Sequence, residues 1–105
     1  MNAIKIIYIT NPSKEEAEKI ACHLLEKKLI ACANFCPIDS MYWWQGSLEH
    51  NNECVLIVKT IEQNYDLVKK EVEEIHAYAV PCIVGISCIV NESYFNFIQN
   101  LVENF

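Results

Sequence analysis

Three groups of side chains in this sequence could do chemistry. The first is His76 followed by Cys82, an imidazole and a thiol that together suit a soft cation such as Cu(I). His76 would need further donors from another subunit to complete such a site. Its position at the end of a helical pattern also suits a purely structural role, as a charge on the helix dipole or a cap on a carbonyl, and that role weighs more. The second group is Tyr42-Trp43-Trp44, which stand on alternating faces of an extended segment and offer large aromatic area. Packing between subunits is the stronger reading of these three, ahead of ligand stacking. The third is Lys59, at the end of an apolar strand beside a helix start, where it could hold an anion. It could equally pair with Glu53 or Glu49, and the ion pair is the simpler reading.

Nothing in the spacing points to catalysis. There is no nucleophile elbow and no glycine-rich phosphate loop, and the chain has only two glycines to build one. A covalent role for Cys82 with His76 is not singled out by spacing, so the expectation is a protein that is not an enzyme. The six cysteines include no C-x-x-C and no Cys/His set at zinc-finger spacing. Cys32 and Cys36 share a strand face but stand about 13 Å apart. All six read as small buried hydrophobes in a reducing compartment.

The net charge is −6 and all eight basic residues are lysines, with no basic stripe, which argues against a nucleic-acid partner. No apolar run reaches the ~20 residues of a membrane span. The chain opens directly on a strand pattern, MNAIKIIYIT, without the features of a secretory leader, so a cytoplasmic location is expected.

The elements that must position these groups follow from periodicity. Residues 3–10 are a strand, and Asn11-Pro12 breaks it. Ser13 and Glu16 form a capping box for a helix with Ala17, Ile20, Ala21, Leu24 and Lys28 on one stripe, ending near Lys27-Lys28. Residues 30–48 are strand-forming throughout, turn signals occupy Gln45–Asn52, and Cys54–Thr60 returns as a strand. A second helix, capped by Thr60 with Gln63 at N3, carries Ile61, Tyr65, Val68, Val72 and Ile75. A connector over residues 76–81, a core strand over 82–90 and a short helix with Tyr94, Phe95, Ile98, Leu101 and Val102 complete the chain.

The order β-α-β-β-α-β plus a helix predicts an α+β, ferredoxin-like sandwich over residues 1–105. Both main helices lie on one face of an antiparallel sheet, and the other face is left bare for an interface. Extended, residues 30–48 would reach roughly 60 Å, against a radius of gyration of about 13 Å for a compact domain of this length. The ribbon is therefore expected to bend near Pro37 and to carry its aromatic residues to a second copy of the chain.

Several pieces taken together resemble the CutA (CutA1) divalent-cation-tolerance family. They are Thr10 and Pro12; Ala17-Glu18-Lys19-Ile20; Leu29-Ile30-Ala31-Cys32-Ala33-Asn34; Pro37 and Ser40; Tyr42-Trp43-Trp44 with Gly46; Glu53; Lys59-Thr60; and His76-x-Tyr78-x-Val80-Pro81. The resemblance implies an interlocked homotrimer, cytoplasmic and without a known reaction, that binds copper or another divalent ion. The family's His-Pro-Tyr-Glu/Gln-x-Pro reads here with Ala77 and Ala79 in place of the proline and the polar residue. The family's metal proposals use a first-strand cysteine, which is Ile9 here, and a histidine opening this motif. Ile75 precedes His76, and of those donors only His76 carries over, with Cys82 as its nearest thiol partner. The architecture also resembles P-II-type trimeric sensors, which hold nucleotides or small acids in clefts between subunits. On that alternative Lys59, Glu53, Tyr78 and Trp44 line the cleft.

Overall fold

The computed structural model describes residues 2–102. Its elements are β1 (Ala3–Asn11), α1 (Lys14–Glu26), β2 (Cys32–Trp44), β3 (Ser47–Ile61), a 3-10 turn at Glu62–Asn64, α2 (Tyr65–Ile75), β4 (Ile83–Ile89) and α3 (Glu92–Leu101). The strands make one four-stranded antiparallel sheet in the order β2-β3-β1-β4. This is the ferredoxin-like sandwich, with an added C-terminal helix, that the order of elements predicts.

Alternation along β1 and β3 sorts two cores onto the two sheet faces. Ile7 and Ile9 of β1 and Cys54, Leu56 and Val58 of β3 meet Ala17, Ile20, Ala21 and Leu24 of α1 and Val68 and Val72 of α2. On the opposite face, Ile4 and Ile61 pack against Ile98 and Val102 at α3. That face is therefore not wholly bare: α3 covers one end, while Val84 and Ile86 of β4 remain exposed.

The α1 cap forms by half. The Ser13 hydroxyl accepts from the Glu16 N–H at 3.2 Å, but the Glu16 carboxylate turns outward to Lys19 at 3.4 Å. The helix closes in a Schellman turn, with Leu29 N–H on the Leu24 carbonyl and Lys28 N–H on that of Leu25. Lys28 takes the left-handed position, φ 57°, and points to solvent instead of continuing the buried stripe. Thr60 does not cap α2. Its hydroxyl donates to the Leu29 carbonyl at 2.6 Å, and β3 runs on to Ile61, paired with Ile4. Ile61 consequently joins the α3 core, α2 begins later than its periodicity suggested, and Ile75 is exposed.

The long hairpin is straight in register. β2 and β3 pair without a break from Cys32↔Lys59 to Trp44↔Ser47, passing through Pro37↔Cys54. β2 is an edge strand, where a proline with its missing N–H outward is tolerated, so Pro37 does not interrupt the ladder. Gln45 and Gly46 close the hairpin with φ of 49° and 82°, the signature of a two-residue type I′ turn. Asn51 and Asn52, read above as turn residues, instead pair with Ser40 and Asp39. β1 reaches only as far along β3 as Cys54. Residues 38–53 therefore form a two-stranded arm beyond the body, and the molecule measures 45 × 23 × 20 Å.

Candidate functional site

The base of the arm meets the α2–β4 connector, and the connector is held by His76. The His76 Nε2–H donates to the Thr10 carbonyl at 2.8 Å, and the Tyr78 backbone N–H donates to Nδ1 at 2.9 Å. A carbonyl only accepts and an amide N–H only donates, so this geometry fixes the neutral imidazole with its proton on Nε2. The two rings lie 5.0 Å apart, and Tyr78 is thereby turned toward β3. There its hydroxyl donates to Glu53 Oε2 at 2.5 Å. Burial, reinforced by the adjacent Glu53 carboxylate, pushes the Tyr78 phenol well above the ordinary tyrosine range.

Beneath this bond is a cavity of about 590 Å³ lined by Thr10, Tyr42, Trp43, Trp44, Glu53, Tyr78 and Cys82, with Ala77, Ala79 and Val80 completing the wall. Of the residues expected to form a ligand cleft, the structure brings together Glu53, Tyr78 and Trp44. Lys59 is not with them. It lies six residues farther along β3, roughly 20 Å away, with its ammonium over the Tyr94 ring at 5.8 Å. That separation rules out the Glu53–Lys59 ion pair: Glu53 accepts from Tyr78 of the connector, and Lys59 lies over Tyr94 of α3.

The residues do not fit a metal centre within one subunit. Both imidazole nitrogens of His76 are engaged, and Cys82 sits in the cavity wall. Among the described residues no group of three or more His, Cys, Asp or Glu side chains is placed to hold an ion. Nor are the thiols uniformly core residues: Cys54 is buried, Cys22 and Cys36 are exposed and the other three are half-buried. The sequence reading missed Tyr42, Thr10 and Cys82 as neighbours in one cavity. They come from different elements, and only the hairpin register together with the His76 clamp brings them there.

A ferredoxin-like sandwich with a hairpin arm and an aromatic cavity at its root defines the class, and comparisons with known proteins define the family. The chain belongs to the CutA1 divalent ion tolerance protein family, whose model matches residues 5–101. It is 52% identical over 80 residues to a divalent-cation tolerance protein CutA from Archaeoglobus fulgidus, covering 76% of this chain and 78% of that one. A Pyrococcus horikoshii counterpart is 40% identical over 94 residues, covering 89% and 92%. Among solved structures, the Archaeoglobus fulgidus protein, described as periplasmic, superposes with a TM-score of 0.92 at 44% identity, over 95% of this chain and 99% of that one. CutA1 from Oryza sativa gives 0.93 at 31% identity, over 98% and 96%.

Proposed function

We propose that this protein acts without catalysis, as a homotrimer in the response to metal ions, each arm being housed by neighbouring subunits through Tyr42, Trp43 and Trp44. One observation carries the reading: the arm pairs only with itself in the subunit, yet ends in Met41, Trp43, Trp44 and Leu48, exposed at 66, 73, 43 and 55%. An isolated two-stranded ribbon is marginal in water, and covering one such side chain stabilises by roughly 1.5–3 kcal/mol. The tolerance role rests on membership of the family. Copper or another divalent cation fits this reading only if His76 releases the Thr10 carbonyl and donors such as Cys82 are joined by others from a second subunit. The cytoplasm is the compartment that suits six unpaired thiols. Neither nucleic acid nor a membrane span has a part in the proposal.

Light scattering tests the assembly, the expected result being three times the chain mass and the contrary result a stable folded monomer. Copper titration of wild type, His76→Ala and Cys82→Ser tests the ligands. Lower stoichiometry in the variants supports them, and equal uptake removes them. Cell fractionation tests the compartment. A second reading, a P-II-like sensor holding a small molecule, is favoured by the cavity that joins Glu53, Tyr78 and Trp44. A thermal-shift screen that stays silent across small-molecule classes would count against it.

A further inference from the structure

We infer that the cavity at the base of the arm binds an organic cation, a protonated amine or quaternary ammonium group, with the Glu53 carboxylate as counter-ion and the rings of Tyr42, Trp44 and Tyr78 as its walls. This rests on the second reading above, that the cavity is a ligand site, and names the chemical class of the ligand.

Tyr42 and Trp44 share the strand face of Glu53, and with Tyr78 they give the lining three aromatic rings and one carboxylate, with no lysine or histidine side chain among the lining residues. Glu53 is only 8% exposed. Its hydrogen bond is to a neutral phenol, and none of the ion pairs found among the described residues involves it. A carboxylate held away from water is costly unless a positive charge faces it, so the cavity contains a negative charge that its own residues do not neutralise. A phosphate or carboxylate ligand would add to that charge, which argues against the nucleotides and small acids suggested by P-II-type clefts.

Between cations, the donor set decides. A divalent ion requires about six or more oxygen ligands, or a comparable nitrogen and sulfur set, to replace its hydration. The cavity offers one carboxylate, the Thr10 hydroxyl and the Cys82 thiol. A large, weakly hydrated organic cation needs less, because aromatic faces attract it directly. A volume of about 590 Å³ also lies in the range of small-molecule pockets and far exceeds that of a bare ion. The net charge of −6 raises the local concentration of any cation near the protein. The Tyr78 hydroxyl donates to Glu53 and so orients the carboxylate.

The test is a titration of the assembled protein, followed by tryptophan fluorescence, with choline, with its neutral isostere 3,3-dimethylbutan-1-ol, and with AMP. Saturable quenching by choline, with the isostere about tenfold weaker or worse, supports the inference. Glu53→Gln, which keeps a carbonyl acceptor for Tyr78, should cost choline a similar factor and leave the isostere unchanged. If that variant misfolds by circular dichroism, Trp44→Leu is the substitute and should weaken choline by several-fold. Equal affinity for choline and the isostere, or preference for AMP, would overturn the cation while leaving a ligand cavity. No saturable response to any of the three would overturn both readings.

Discussion

Leu56 and Leu48 lie eight residues apart on the same strand and the same face, yet Leu56 is fully buried and Leu48 is 55% exposed. The difference is what stands across from them. At Leu56, β3 is flanked by β1 and β2 and backed by α1. At Leu48 it has only Trp43 beside it. The body is thus stabilised by side chains removed from water, whereas the arm is held within the subunit by its ladder, an I′ turn and, at its root, the Tyr78–Glu53 hydrogen bond. One strand is packed into the core at one end and turned to solvent at the other.

The largest contrast expected is between substitutions at the two ends. Leu56→Ala should cost about 2–5 kcal/mol in urea denaturation, as for other buried leucines. Trp43→Glu should leave the circular dichroism of the body intact and lower the mass seen by sedimentation. A variant that kept the wild-type mass would place the arm tip outside any interface. Next comes the joint between the two regions. His76→Ala removes both connector bonds and should cost about 1–3 kcal/mol. It should also bring Tyr78 back toward the ordinary tyrosine range, read as tyrosinate absorbance on alkaline titration. The sign follows from the raised phenol: its bond to Glu53 stabilises the fold at and below the usual value of 10.0 and is lost as pH climbs above it. An unchanged titration would mean that His76 does not position Tyr78.

The smallest effect belongs to the surface of the body. Lys27 and then His23 hydrogen-bond Glu71, at 2.8 and 2.7 Å, and hold its carboxyl below the usual 4.5. That contribution is present above the ordinary value and fades as pH falls below it. The difference in urea midpoint between wild type and Glu71→Gln should therefore shrink from neutral pH toward about pH 3. A difference independent of pH would assign the effect to packing.

The sequence made the body legible because periodicity there reports burial directly: Ile20, Leu24, Val68 and Val72 all sit where their spacing puts them. It misled where a side chain had a partner distant in sequence. Thr60 looked like a cap and instead bonds Leu29. Asn51 looked like a turn and instead donates to the Tyr42 hydroxyl at 2.8 Å within the ladder. The cavity was half visible. Glu53, Tyr78 and Trp44 do line one cavity, but Lys59 was included because its chemistry suited a cleft, and strand register, which no local pattern reveals, carries it to the far end of β3.

The most direct test of the central claim, that the arm is covered by sister subunits, is amide hydrogen exchange over residues 38–53 at decreasing protein concentration. The account predicts protection comparable to that of β1 in the assembly, lost from the arm before the body as dissociation sets in. Rapid exchange of the arm at every concentration, with β1 still protected, would contradict it.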